Sequence, residues 1–470
     1  MAVSPPLGQR LSLPVVMGFA STALPIAAIA LVMGVYLPRF FAGHIGISLA
    51  AVGAAFTIVR LIDMALDPLL GLAMDRTKSR IGRYRPWLIG GAPITMLAVY
   101  MLFMARPGIT ETYLIGWLLV LYVGVSILTL GQAAWAASIA TGYHDRSRVY
   151  GVIQGVGVAG AVAILVLPLL LGKGGEGAGG VHAMGWFCIV LIPITVLICS
   201  LTTPERVSAN VSKEKVTIRD YWALVSRPDM ARLIVADLFM ALGPGTTAAL
   251  YLFFFHDARH YTHQQTGILL VFFIAAGLLG AAFWGWLAQR LGKHRTLMVS
   301  AVAYAVTQSM LMLIPPQTMS LAIPGMMAVG FVSTAFLLIV RAMVADVADE
   351  VRLETGQERA GLLYALVTTT QKIGSAITVG ISFTVLGIVG YNPAEGAVNT
   401  PEAIHGLELC YVFAPIILVF FGGAAFIGYR LNAERHAEIR AQLDARDALT
   451  AEADLLRATA GTSVPTHPGR

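Results

Sequence analysis

Charge is what this sequence has least of. Only 12% of its 470 residues are Asp, Glu, Lys or Arg, and 57% are hydrophobic, whereas soluble domains carry about 25% charged residues. The mean hydropathy is +0.74. This shortage excludes an ordinary soluble enzyme or nucleic-acid-binding domain and puts most of the chain in hydrocarbon, where charge is expensive. Cysteine is scarce too. Cys188, Cys199 and Cys410 lie in or beside apolar runs with no metal-ligand or disulfide spacing, and they read as small buried hydrophobes. There is no P-loop Gly-Lys-Ser/Thr, no H-E-x-x-H helix and no catalytic triad, so neither an ATP-driven pump nor a membrane enzyme has its chemistry here, and no cofactor is expected. A channel would need a selectivity ring or filter, and none is seen. The one GxGxxG match, Gly155 to Gly160, lies inside an apolar run with no strand before it. With Gly151 it reads as small-residue helix packing.

What is abundant is long apolar runs. Twelve segments are long enough to span, centred near Ile26, Thr57, Ala98, Gly124, Val162, Ile192, Gly243, Ala275, Ala305, Ser333, Val379 and Val419. A span needs about 20 residues, and runs of that length imply helices, since barrel strands would be about 10 residues and alternating. The first run extends from Leu11 to about Phe41, too long for a signal-peptide core of ~7–15 residues. The basic residues alternate between loops. Five lie between Asp75 and Arg85 after span 2. Arg146 and Arg148 follow span 4, Arg206 to Arg227 follow span 6, Arg290, Lys293 and Arg295 follow span 8, Arg352 and Arg359 follow span 10, and Arg430 opens the tail. The intervening loops hold almost none. This is the positive-inside rule repeated down the chain, so both termini are expected in the cytoplasm. The expected organisation is a six-helix bundle over 1–202, a cytoplasmic linker over 203–228, a second bundle over 229–430 and a cytoplasmic tail over 431–470.

Charges at membrane depth are functional candidates, because each costs at least ~2.5–3.5 kcal/mol to insert. Span 2 holds Arg60, Asp63 and Asp67 at i, i+3 and i+7, which share one helical face. Arg60 can neutralise Asp63. The second acid offers hard oxygen ligands to a small cation, or a carboxylate that carries a proton. Lys372 in span 11 is expected to face the same cavity near an acid. Asp237 in span 7 is closer to a span end and reads as interfacial. Arg341, Asp346, Asp349 and Glu350 mark the cytoplasmic end of span 10 and, with Asp75, Arg76, Arg80 and Arg146, read as a cytoplasmic gate.

The stretch carrying Arg60, Asp63, Asp67, Pro68, Gly71, Asp75, Arg76, Arg80, Gly82, Pro86 and Trp87 resembles the signature of the glycoside–pentoside–hexuronide:cation symporters, a branch of the major facilitator superfamily. A second match runs through Asp346, Asp349, Gly356, Arg359, Gly361, Gln371, Lys372 and Gly374. The resemblance covers essentially the whole chain. It implies an all-α membrane protein of twelve transmembrane helices in two six-helix bundles, working by alternating access and coupled to sodium or a proton. It also implies that Asp63 and Asp67 bind the coupling cation and that Lys372 helps to link the bundles. The pattern departs where the family holds sugar: the acids of spans 1 and 4 fall at Pro25 and near Gly131, and the arginine of span 5 falls at Gln154. The polar and aromatic groups left for a substrate cavity are Thr22, Gln132, Trp135, Gln154, Thr246 and Tyr364. The expected partners are the lipid bilayer and a small organic solute, a glycoside or a less polar compound such as a lysolipid. Nucleic acid is not among them. The expected setting is a bacterial inner membrane, with the monomer as the working unit.

The topology is directly testable. Reporter fusions at Arg470 and at Gly177 should report opposite sides of the membrane, and the same side for both would overturn the twelve-span reading.

Overall fold

The computed structural model describes residues 12–139, 143–171, 178–205, 218–356, 360–394 and 396–461. Among these there is no strand. Twelve long helices follow one another: α1 Leu13–His44, α2 Leu49–Arg76, α3 Arg85–Phe103, α4 Glu111–Ile139, α5 Tyr143–Leu170, α6 Ala178–Thr202, α7 Pro228–Ala258, α8 His263–Leu291, α9 Lys293–Met312, α10 Met319–Thr355, α11 Ala360–Ile388 and α12 Pro401–Ala424. A short linker helix, Ile218–Val225, precedes α7, and a tail helix, Ala433–Gly461, follows α12. All but α9 are long and apolar enough on their own to cross a bilayer. The α9 segment is less apolar because it carries Thr296, Ser300 and Gln308. All three are fully buried: Thr296 and Ser300 donate to the carbonyls of Gly292 and Leu297 on their own segment, and Gln308 donates to the Tyr411 carbonyl of α12 at 2.9 Å. Polar side chains of this kind are tolerated in a span when their donors find a carbonyl in the preceding turn or on a neighbouring helix.

The helices pack as two groups of six, joined by α2 against α11, α5 against α8 and α1 against α7. The loop after α2 sits beside the end of α6. Glu205 accepts from the backbone N–H groups of Arg83 and Tyr84, Arg85 donates to the Thr203 carbonyl at 2.5 Å, and Trp87 donates to Thr77 at 2.8 Å. The tail helix and the α8–α9 junction meet α10 on that side through Lys293, His436 and Arg440. We call this the basic face. On the opposite face Arg259 donates to the carbonyls of Met312 and Ile314.

Two departures from regular helix matter for the site. Pro25 cannot donate to the Ser21 carbonyl, and α1 turns at Ser21 and Thr22. Towards the opposite face α1 widens into π turns over Val32–Tyr36 and Phe40–His44, and α7 does the same over Phe253–Ala258. Such turns recur at functional positions. Here they fall at matching places in the two halves.

Without a hydrophobic driving force between helices in lipid, close packing at small residues does the work. A Cβ at Gly160 would overlap the Leu24 backbone, which is where α5 lies on α1. Gly157 sits nearby, whereas Gly151 and Gly155 meet nothing, so only half of the glycine run is a packing seam. The α8–α10 contact is reciprocal. A Cβ at Gly280 would strike the Phe331 carbonyl, and one at Gly330 would strike the Phe273 carbonyl. Trp284 closes the seam with a 2.9 Å hydrogen bond to the same Phe331 oxygen. Gly280→Val should therefore destabilise the folded carrier by roughly 1–3 kcal/mol, read as a lower melting temperature in detergent. Gly285→Ala, whose nearest neighbour is a Leu338 methyl at 3.9 Å, should leave it unchanged. Equal melting of both variants would refute the seam.

Candidate functional site

The charged face of α2 meets α11 in the middle of the molecule. Asp63 is completely buried. Its Oδ2 lies 3.3 Å from Arg60 Nη1 and 3.9 Å from Lys372 Nζ, and its Oδ1 accepts from Ser126 of α4 at 2.6 Å. Lys372 also pairs directly with Asp67 Oδ2, while Asp67 Oδ1 is buried with no hydrogen-bond partner among the described residues. Arg60 is held in place twice more, by Ser375 of α11 at 3.3 Å and by the Tyr122 ring, 5.0 Å from the guanidinium carbon. Pro68 follows Asp67 and cannot donate to the Met64 carbonyl, which leaves another oxygen on this face of α2 without its helical donor. Two acids and two bases thus cancel in a site where an unpaired charge would be costly. Sequence reasoning found Arg60, Asp63, Asp67 and Lys372. It missed Ser126, Tyr122 and Ser375, for which the only signal is a polar group inside an apolar run.

From this cluster towards the opposite face α2 and α11 stay in contact. Thr57 donates to the Ala376 carbonyl at 2.9 Å, and a Cβ on Gly53 would lie 3.2 Å from Gly380 Cα. Towards the basic face they part: Gly71 meets nothing, and Tyr364 and Thr368 are exposed. The opposite end is fastened by a latch between the halves. Arg39 on α1 makes a bidentate pair with Asp257 on α7, at 2.8 and 2.9 Å. His256 joins both at 3.1 and 2.7 Å, and the Tyr391 hydroxyl donates to the same carboxylate. Burial and the Asp257 carboxylate push the Tyr391 phenol far above its ordinary range, so it stays a donor. Fork-to-fork arginine–carboxylate pairs are among the strong hydrogen-bonded contacts. The two halves are thus fastened together at this end, while α2 and α11 stand apart towards the basic face.

The other candidate residues are not gathered into one site. Thr22 and Gln132 are buried and bond each other at 2.7 Å. Trp135 is fully buried, edge-on to Phe19 at 5.7 Å and donating to the Pro204 carbonyl at 3.3 Å. Thr246 is buried and donates to the Leu242 carbonyl at 2.9 Å. Gln154 and Tyr364 are exposed, with the Tyr364 hydroxyl on the Arg341 carbonyl at 3.3 Å. On the basic face Asp346 pairs with Lys293 at 2.5 Å and with His436 at 3.4 Å, and Asp349 pairs with His436 at 3.1 Å and Arg440 at 3.4 Å. These partners all belong to the second half and its tail helix, so neither acid bridges the halves here. Arg76, Arg80 and Arg341 are exposed, and the side chains of Asp75 and Arg146 lie outside the described residues. Asp237 departs from its interfacial reading, being 3% exposed inside the second half.

Residues 18–433 match the MFS/sugar transport protein family. The chain belongs to it. The resemblance read from α2 is borne out, and the protein is a membrane-embedded transporter of a small molecule. It is 27% identical over 418 residues to the isoprimeverose transporter of Lactiplantibacillus pentosus, covering 84% of each chain. It is 26% identical over 413 residues to the lactose permease of Lactobacillus delbrueckii subsp. bulgaricus, covering 83% of this chain and 65% of that one. Its fold is similar to the crystal structure of the nucleoside transporter NupG, with a TM-score of 0.68, 16% identity, and coverage of 88% of this chain and all of that one.

If the latch holds one end shut, removing it should open that end. With the three native cysteines replaced, Val35→Cys should react slowly with a membrane-impermeant maleimide added at the opposite face, because Val35 is buried behind the latch. Arg39→Ala or Asp257→Ala should raise that rate severalfold, and an unchanged rate in both would show that the latch is not what closes this end.

Proposed function

We propose that this protein is a cation-coupled symporter of a glycoside that works by alternating access, with Asp63, Asp67 and Lys372 as the coupling centre. The observation that carries the reading is the Lys372 ammonium resting on two carboxylates of the other half. A sodium ion or a proton arriving at Asp67 competes with the ammonium for the same oxygens. Asp67 Oδ1 and the Ser126 hydroxyl supply further oxygens at the site, and hard cations prefer such ligands. Binding therefore loosens a contact between α2 and α11, the pair of helices that joins the two halves. Arg60 stays paired with Asp63 and holds it in place throughout. Coupling follows because the interhelical contact and the cation share one set of oxygens.

The curated relatives transport isoprimeverose and lactose, which supports a glycoside as the solute. Pro25 and Gly131 have no side-chain hydrogen bonds to offer a sugar, so simple galactosides are expected to be poor substrates beside glycosides with an apolar aglycone. The basic loops support a cytoplasmic basic face with both termini, the linker over 203–228 and the tail on that side of a bacterial inner membrane. In this reading Arg76, Arg80 and Arg341, exposed on the basic face, close that face together with Asp346 and Asp349 when the latch opens.

Proteoliposomes offered isoprimeverose, lactose and 4-nitrophenyl glycosides under sodium or pH gradients test this reading. The wild type should accumulate at least one of them under one of the gradients. Asp63→Asn and Asp67→Asn should abolish accumulation but keep the melting temperature, and Lys372→Ala should impair it, since a buried carboxylate loses its counter-charge. Normal concentrative uptake in both aspartate variants would make these acids structural.

A further inference from the structure

The second half contains a carboxylate that the coupling centre does not use. Asp237, on α7, is 3% exposed. Its Oδ1 accepts from Gln371 Nε2 at 3.2 Å, and its Oδ2 has no hydrogen-bond partner among the described residues. A buried carboxylate oxygen left unmatched is costly, and such a group at membrane depth is ordinarily neutralised, paired or used. It lines a cavity of about 250 Å³ together with Gln371, Met240, Pro244, Ser333 and Phe336. Gln371 is the residue before Lys372, so this cavity lies at the depth of the coupling centre but on the side of the second half. Pro244 adds to it, because proline has no N–H for the Met240 carbonyl. Pro244 and Ser333 also line a smaller, almost wholly apolar pocket of about 100 Å³, walled by Leu31 and Val35 of the first half and by Tyr251 and Phe273. The two spaces share Pro244 and Ser333 in their walls, with acceptors lining one and hydrocarbon and aromatic surface lining the other.

Resting on the glycoside reading above, we propose that Asp237 and Gln371 bind the hydroxyls of the transported sugar, with the aglycone in the apolar pocket behind Pro244. The chemistry of the lining selects this ligand. A carboxylate accepts from two neighbouring hydroxyls at once, and the Gln371 carbonyl, freed because its NH₂ faces Asp237, is a further acceptor. A metal ion would need about six oxygen ligands, whereas beyond Asp237, Gln371, the Ser333 hydroxyl and the Met240 carbonyl the walls are the apolar side chains of Met240, Ala241, Pro244, Phe336 and Leu337. The assignment also accounts for the sugar-binding positions of the first half being Pro25, Gly131 and Gln154: the hydroxyl contacts have moved to α7 and α11. Because Gln371 adjoins Lys372, a sugar held there bears on the same turn of α11 that the cation releases.

The test separates this proposal from the transporter reading by measuring sugar recognition without a gradient. Counterflow of the best substrate among isoprimeverose, lactose and the 4-nitrophenyl glycosides needs no net cation movement. Asp237→Asn keeps the shape but loses the charge, and should raise the half-saturating sugar concentration about tenfold or more while retaining the melting temperature. Gln371→Ala should weaken binding in the same direction. Among monodeoxy analogues, at least one should be a tenfold poorer substrate for the wild type, and Asp237→Asn should erase that preference. If the wild type accumulates sugar but Asp237→Asn binds it within twofold of normal, the proposal falls and the symporter reading stands. If Asp237→Asn loses only gradient-driven accumulation, Asp237 belongs to coupling and the proposal falls. If the wild type moves none of the sugars, both fall together.

Discussion

The arrangement depends on one ammonium group. Lys372 comes from α11 and its two partners, Asp63 and Asp67, come from α2, so the ion pairs that satisfy a buried charge are also bonds between the halves. Each neighbour then has a definite task. Arg60 neutralises Asp63, Ser126 and Ser375 complete hydrogen bonds that a low-dielectric site cannot leave unmade, and Tyr122 offers its ring face to the guanidinium. If Lys372 were replaced by an apolar residue, two carboxylates about one helical turn apart would face each other with only Arg60 between them. Loss of either side of the contact would leave buried charge unmatched, and on the proposed reading this gives a competing cation leverage over the packing of α2 on α11.

The latch on the opposite face is the counterpart at the other end of the cavity. It joins α1 and α7 where both widen into π turns, so a locally irregular backbone carries a bidentate ion pair between the halves. The two devices differ in chemistry. The latch is a bidentate arginine–carboxylate pair reinforced by His256 and Tyr391. The central contact is a lysine, a compact point charge on a flexible stem, which can exchange partners without any change in the fork geometry that an arginine would demand.

Much of this was legible in the sequence, for identifiable reasons. The twelve helices follow from run length and basic-loop alternation, and α9 is recognisable by its place in the series although its buried Thr296, Ser300 and Gln308 lower its apolarity. Arg60, Asp63, Asp67 and Lys372 stand out because three charges share one face in the middle of an apolar run and the fourth lies far from any span end. Asp237 was read as interfacial, since a charge within ten residues of a span end can reach water, and only the packing of α10 and α11 around it shows otherwise. Arg39 and Asp257 escaped notice for a related reason: each sits near a span end, and a partner on a distant helix cannot be inferred from one sequence. Trp135 was placed in the cavity on residue type alone, whereas its indole fills the first half and bonds the Pro204 carbonyl. Helix propensity and hydropathy describe a segment's relation to lipid, but which neighbour a side chain faces is set by the assembly of all the helices.

The charge balance of the central cluster has an electrical consequence. Two carboxylates, one guanidinium and one ammonium sum to zero, so the empty centre has no net charge to move in an electric field. A sodium ion or proton added to it brings one elementary charge, and a neutral sugar adds none. In the cation-coupled reading proposed above, the loaded cluster responds to the membrane potential, which is worth about 2.3 kcal/mol per elementary charge for every 100 mV traversed, while the empty cluster itself does not. A negative interior would thus favour inward movement of the loaded cluster, and the empty cluster would add nothing to the electrical cost of the return.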